Sequence, residues 1–235
     1  MRNVKYWVQY FVNLKMTLIC GIDEAGRGPV IGSMVMAGVL IDKKDSPKLK
    51  ALGVKDSKLL TKEQREALFD KIVKTVKQYK IIIVPPKEID EALESEELNL
   101  NWLEAHKSAD IINYLKPDKA ILDCPSINIE KYQSYVENLL KNKVKLIVEH
   151  KADVNYIESG AASILAKVTR DKEMEKIQKK YGNTGPGYPS NEITQNFLKE
   201  NWNKYPEIFR QTWSSYKKHK EAKNQSRLGD FQNFY

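Results

Sequence analysis

Three short apolar runs in this chain each deliver an acid at or just beyond their C-terminal end. Residues 17–23 (TLICGID) are uncharged until Asp23, and the turn Gly26-Arg27-Gly28-Pro29 follows, with Glu24 between. Residues 119–123 (KAILD) end on Asp123, and residues 144–149 (VKLIVE) are followed by Asp153. Apolar runs of this length, bounded by turn residues, read as buried strands of a layered sheet. Functional groups of open α/β sheets gather at strand C-termini. Each acid alone also has an ordinary structural use. Asp23 can cap a loop, Glu24 can sit on the surface, Asp123 can satisfy turn amides before Cys124-Pro125-Ser126, and Asp153 can N-cap the next helix. Four carboxylates meeting in one place would repel one another, and one or two divalent cations with oxygen ligands would relieve that repulsion. Spacing alone leaves open whether they meet.

The rest of the chain supplies layers for such a sheet. Residues 32–41 (GSMVMAGVLI) read as a second strand, and residues 80–84 as a third, stopped by Pro85-Pro86. Thr61-x-x-Gln64 is a capping box opening a helix with Ala67, Leu68, Ile72, Val73 and Val76 on one side. Further helices are expected from about residue 88, over 101–115 and 129–141, and as one long helix over 155–180. Residues 182–189 hold three glycines and two prolines, the strongest break in the chain. Two more helices are expected at 191–201 and 206–223. The fold class is therefore α/β, with residues 17–182 as one layered domain, 183–223 as a small helical subdomain and 224–235 as a flexible tail. Residues 1–16 form an N-terminal extension. Met16 stands directly before the first strand, so residues 1–15 are either not part of the native translated protein or a short arm packed on the core.

Composition narrows the class of protein. In 235 residues, 41% apolar and 30% charged, a packed core is feasible and wholesale disorder is excluded. A net charge of +8 suits a phosphate-bearing partner, and equally a well-solvated surface. Residues 170–223 carry twelve Lys/Arg against seven Asp/Glu, either a basic wall for a duplex backbone or a solvated face. No apolar run approaches the roughly 20 residues of a membrane span, and no signal-peptide cleavage pattern follows the N-terminus, so a cytoplasmic protein is expected. His106, His150 and His219 are scattered, which with only two cysteines leaves no closed zinc site. Cys20 and Cys124 lie an odd number of residues from Asp23 and Asp123, so in ideal strands they face away from the acids and into the core.

The motifs themselves are recognisable. Residues 21–29 (GIDEAGRGP) strongly resemble the opening motif of ribonuclease HII. The likeness continues through residues 55–60 (KDSKLL), Leu122-Asp123, residues 149–153 (EHKAD), residues 161–167 (AASILAK) with Arg170-Asp171, and Gly187-Tyr188-Pro189. These blocks fall in family order over roughly residues 17–190, nearest to the archaeal branch. One departure stands out: Gly160 replaces the family's usual Ser, and Ser159 is shifted by one position. The resemblance implies a ribonuclease H-like fold, a mixed five-stranded sheet flanked by helices. It implies Asp23, Glu24, Asp123 and Asp153 as catalytic metal ligands, with Mg²⁺ or Mn²⁺ as cofactor. The implied activity is hydrolysis of the RNA strand of RNA–DNA hybrids. It extends to nicking duplex DNA 5′ of an embedded ribonucleotide, leaving 3′-hydroxyl and 5′-phosphate ends, in replication and repair.

Substrate contacts follow from the same resemblance. Gly26, Arg27 and Gly28 would meet the ribonucleotide's sugar, where glycine lets backbone approach closely; Arg27 is also a candidate for the adjacent phosphate. Tyr188 resembles the family's tyrosine packed on the junction sugar, its alternative being a core aromatic. Ser57, Lys58 and Lys167 are candidate phosphate contacts. Gln225, Leu228 and Phe231 resemble a PCNA-interacting peptide, since one 3₁₀ turn places Leu228 and Phe231 on one side; Gln232 stands where a second aromatic is usual. A monomer is expected. Two rivals are a non-catalytic binding module, against which the four acids stand, and a ribonuclease HIII-like enzyme, whose family carries an extra N-terminal domain.

Overall fold

Five strands form one mixed sheet, ordered β3-β2-β1-β4-β5, in a computed structural model that describes residues 17–54 and 60–222. The strands are β1 (Leu18–Ala25), β2 (Met34–Asp42), β3 (Gln78–Val84), β4 (Lys119–Asp123) and β5 (Lys145–Glu149). The helices are α1 (Ser46–Ala51), α2 (Lys62–Thr75), α3 (Pro86–Glu94), α4 (Leu100–Leu115), α5 (Ile129–Leu139), α6 (Ala152–Asn155), α7 (Ile157–Tyr181) and α8 (Glu192–Asn201). Residues 214–222 are also helical. Antiparallel pairing joins β3 to β2 and β2 to β1, while β1, β4 and β5 run parallel. Ser57, Lys58, Gln225, Leu228, Phe231 and the N-terminal 1–16 lie outside the described residues.

The sheet is covered on both faces, which explains why β2 is buried at every position. Cys20 and Ile22 of β1 face a cluster with Leu103, Ile111 and Ile112 of α4 and Tyr132 and Val136 of α5. Val35, Ala37 and Val39 of β2 face the other way, against Leu68 and Ile72 of α2 and the small residues Ala161, Ala162 and Ala166 of α7. Those small residues let α7 lie close to β1. A Cβ added at Gly21 would sit 2.2 Å from the carbonyl carbon of Glu158 and 2.3 Å from the amide of Ser159. Backbone cannot yield as a side chain can, so Gly21→Ala is expected to cost about 2 kcal/mol. The check is a lower urea midpoint at unchanged slope; an unaltered midpoint would refute this packing argument.

The capping box forms as expected. The Gln64 amide donates to Thr61 Oγ1 at 3.2 Å and the Thr61 amide to Gln64 Oε1 at 2.9 Å. Two expectations need correction. The long helix starts later than residue 155: α6 stops at Tyr156, whose backbone is extended (φ −126°, ψ 125°), and α7 begins after it. Asp153 therefore sits in the first turn of α6 and does not cap the long helix. The 206–223 helix is likewise broken. Pro206–Ile208 form a single 3₁₀ turn, Phe209 bridges to Ile31, and Arg210 is fully buried before the chain turns helical again. Asp90 of α3 holds this break by accepting from the amides of Gln211 and Thr212 at 2.8 and 2.9 Å. A separate apolar cluster forms there from Val30, Ile31, Met174, Phe197, Phe209 and Tyr216. Among the described residues no helix is long and apolar enough to cross a membrane.

Candidate active site

Because β1, β4 and β5 are parallel neighbours, their C-terminal ends share one edge of the sheet. Ile22 pairs with Leu122, so Asp23 and Asp123 leave adjacent strands at the same level. Asp23 and Glu24 are successive strand residues and point to opposite faces. Asp23 faces α7, where Ser163 hydrogen-bonds its carboxylate, and Glu24 lies near Glu104 of α4. Oxygens of Asp23, Glu24 and Asp123 all lie within 4.8 Å of one another. Asp153 is buried and lines the same cavity, of about 290 Å³, with those three acids. The left-handed backbone of Lys151 (φ 61°) turns the chain after β5, and the Ala152 amide donates to Asp123 Oδ1 at 2.9 Å.

These acids are held against their ordinary ionisation. Burial pushes Asp23 well above the usual carboxylate range, and the charges of Glu24 and Asp153 push it further, opposed by the Ser163 hydrogen bond. Burial also raises Glu24, with Asp123 adding to it and Arg27 opposing. Asp123 is raised by burial and by Asp153, and lowered by the Ala152 amide. Glu104 is pushed up to about 8 by burial and by Glu24, against the pull of Arg27. Clustered, desolvated, all-oxygen donors are what a hard divalent cation requires. The donor set thus fits Mg²⁺ or Mn²⁺: Asp23, Glu24 and Asp123 could hold such an ion, with Asp153 lining the same cavity.

The cavity's other wall is the turn after β1. Gly26 is left-handed (φ 81°), and a Cβ there would lie 3.0 Å from Ser33 O. Tyr188 is 40% exposed and so is no core aromatic. A Cβ at Gly28 would lie 3.7 Å from its ring, and the Arg170 guanidinium lies 5.6 Å from the ring centre. The Arg27 guanidinium is tied to α4, donating to Glu104 Oε1 at 2.7 Å and Asn101 Oδ1 at 2.6 Å. Lys167 lines the cavity and pairs with Asp171 at 2.5 Å.

A family model described as Ribonuclease HII matches residues 20–216. The chain belongs to the ribonuclease HII family. It is 45% identical over 220 residues to the Ribonuclease HII of Thermococcus sibiricus, covering 90% of this chain and 96% of that protein. The crystal structure of ribonuclease H2 from Pyrococcus horikoshii OT3 superposes with a TM-score of 0.81 at 43% identity, covering 88% of this chain and 98% of that one. The Archaeoglobus fulgidus enzyme, solved as a PCNA:RNase HII complex, gives a TM-score of 0.77 at 38% identity, with 84% and 95% covered. Members of the ribonuclease HII family are metal-dependent endonucleases of the type 2 ribonuclease H class, and the sheet and helices described above are that fold.

Several residues of this ribonuclease HII site carry no signal in the sequence. Arg65 of α2 lines the cavity. Glu104 is almost fully buried beneath Arg27. Arg210, distant in sequence, reaches the glycine turn from behind. Each is one polar residue in a helix or loop rich in polar residues, and no local pattern separates it from its neighbours. The family departure at Gly160 leaves Ser159 fully buried, its hydroxyl 3.4 Å from Ile121 O and away from the cavity. Cys20 and Cys124 are free, buried thiols, with burial raising both.

Proposed function

We propose that this chain hydrolyses the RNA strand of RNA–DNA hybrids and nicks duplex DNA 5′ of embedded ribonucleotides, leaving 3′-hydroxyl and 5′-phosphate ends. It would do so as a cytoplasmic monomer removing ribonucleotides during replication and repair. The observation that carries this reading is the meeting of Asp23, Glu24 and Asp123 within 4.8 Å beside an open glycine turn. Asp23, Glu24, Asp123 and Asp153 would hold one or two divalent cations, which would supply an activated water and stabilisation of a phosphodiester's leaving oxygen. The chain's own residues do the rest. Ser163 and the Ala152 amide orient Asp23 and Asp123, and Asp153 completes the acidic wall. Glu104 and Asn101 fix Arg27, and the turn brings backbone within reach of a 2′-hydroxyl, the local difference between RNA and DNA. Tyr188 stands opposite Gly28, where a junction sugar would pack. Ser57, Lys58 and Lys167 would meet phosphates. The test is a DNA duplex carrying one ribonucleotide, incubated with Mg²⁺ or Mn²⁺ beside an all-DNA control. Cutting of the first alone is expected; equal treatment of both would end this reading.

A second reading concerns a partner. The Archaeoglobus relative was solved with PCNA, and Gln225, Leu228 and Phe231 of this chain carry the clamp-peptide likeness. Docking through that tail is expected to weaken about a hundredfold or more in Leu228→Ala plus Phe231→Ala, since two apolar plugs buried on docking contribute roughly 3 kcal/mol or more. Undiminished PCNA binding by the double variant, measured by calorimetry, would reject this mode.

A further inference from the structure

One short C-terminal stretch holds the turn of Gly26, Arg27 and Gly28 from behind. Arg210 is fully buried and forks onto three carbonyls: Nε to Gly32 O at 3.0 Å, Nη1 to Arg27 O at 2.7 Å and Nη2 to Gly26 O at 2.6 Å. Its amide donates to Val30 O at 2.8 Å. The indole Nε1 of Trp213 donates to Gly28 O at 3.1 Å, and the Arg210 guanidinium stacks 4.9 Å over that indole. Asp90 anchors the same stretch through Gln211 and Thr212.

The direction of those bonds matters. In a trans peptide the carbonyl and the following N–H point opposite ways, and none of the described peptide bonds is cis. Carbonyls of Gly26 and Arg27 drawn back onto Arg210 therefore turn the amides of Arg27 and Gly28 the other way. Gly26, Arg27 and Gly28 line the cavity and Arg210 does not, so those two amides turn to the cavity side. A 2′-hydroxyl can accept from such donors, and a deoxyribose offers nothing in its place.

We propose that Arg210 is the positioning residue that sets ribose selectivity, by pinning the turn's carbonyls so that the Arg27 and Gly28 amides are presented to a 2′-hydroxyl. The proposal rests on the embedded-ribonucleotide reading above. Lysine keeps the charge, but its three donors sit on one nitrogen and cannot reproduce a planar fork whose bonds leave from Nε, Nη1 and Nη2, so Arg210→Lys isolates the geometry. Trp213→Phe keeps an aromatic face and removes one bond to the turn.

The experiment measures binding of two labelled duplexes, all-DNA and single-ribonucleotide, with Ca²⁺ in place of Mg²⁺, together with the melting-temperature rise caused by Mn²⁺. In the wild type the single-ribonucleotide duplex is expected to bind more tightly. Arg210→Lys should reduce that preference about tenfold or more, the loss expected from one misplaced buried hydrogen bond, and leave the Mn²⁺ response unchanged. Trp213→Phe should reduce it about threefold by the same reasoning, and decides the matter if Arg210→Lys does not fold. A preference that survives these substitutions overturns the assignment. So does a preference lost together with the Mn²⁺ response, which marks a merely structural role. Equal binding of both duplexes by the wild type in Ca²⁺, together with no cleavage of either when Mg²⁺ is supplied, would instead sink the function reading.

Discussion

Asp123→Asn is expected to lower Mg²⁺-dependent cleavage about 10³-fold, a loss of roughly 4 kcal/mol of transition-state stabilisation. Asn keeps the shape of Asp and can still accept the Ala152 amide that now reaches Oδ1 at 2.9 Å. It removes a negative charge from a group of three carboxylates within 4.8 Å. The fold should therefore survive. Without cations it should even gain, because one of the charges raising Glu24 is gone. Steady-state cleavage and thermal melting on the same sample separate the two effects. Cleavage within tenfold of wild type would remove Asp123 from the chemistry, and a melting temperature several degrees lower would contradict the repulsion argument.

The second large effect links cations, pH and stability. Asp23, Glu24 and Asp123 are raised above their ordinary values, and Glu104 to about 8, with burial the first cause in each. A carboxyl raised in the folded state favours the fold below its unfolded value near 4, and that contribution is lost as pH rises through its folded value. The cation-free protein should thus lose stability on this account between about pH 4 and 8. Cations bind the deprotonated acids and displace their protons, so their stabilising effect should grow over the same interval. At a hundred times the dissociation constant, mass action contributes about 2.7 kcal/mol, or roughly 5–10 °C of melting temperature for a chain of this size. The rise on adding Mn²⁺ should be larger at pH 8 than at pH 5.5 and absent from Asp123→Asn. An equal rise at both pH values would break the link between these acids and the ion.

Much of this was legible in the residues because it is local. The GIDEAGRGP motif places two acids on a strand end and glycine in a left-handed turn, and both depend only on the chain around them. The Thr61–Gln64 box depends on four consecutive residues, and it formed as read. Helix ends were harder. Tyr156 looks like a helix residue until its place between α6 and α7 makes it extended, and 206–223 looks continuous until Phe209 pairs with Ile31. In both cases tertiary contact overrode local preference.

The sequence by itself determined which side chains could bind a cation and which turn could approach a sugar, because residue type and backbone freedom are properties of the chain at one point. It could not order the strands. Only the folded sheet put β4 beside β1 and β5 beside β4, all parallel, and so brought acids a hundred residues apart to one edge. The same holds for Arg210, whose guanidinium meets the carbonyls of Gly26 and Arg27 from some 184 residues away. Burial and mutual repulsion arise only from that proximity, since a charge is shifted by what surrounds it in space and not by what adjoins it along the chain.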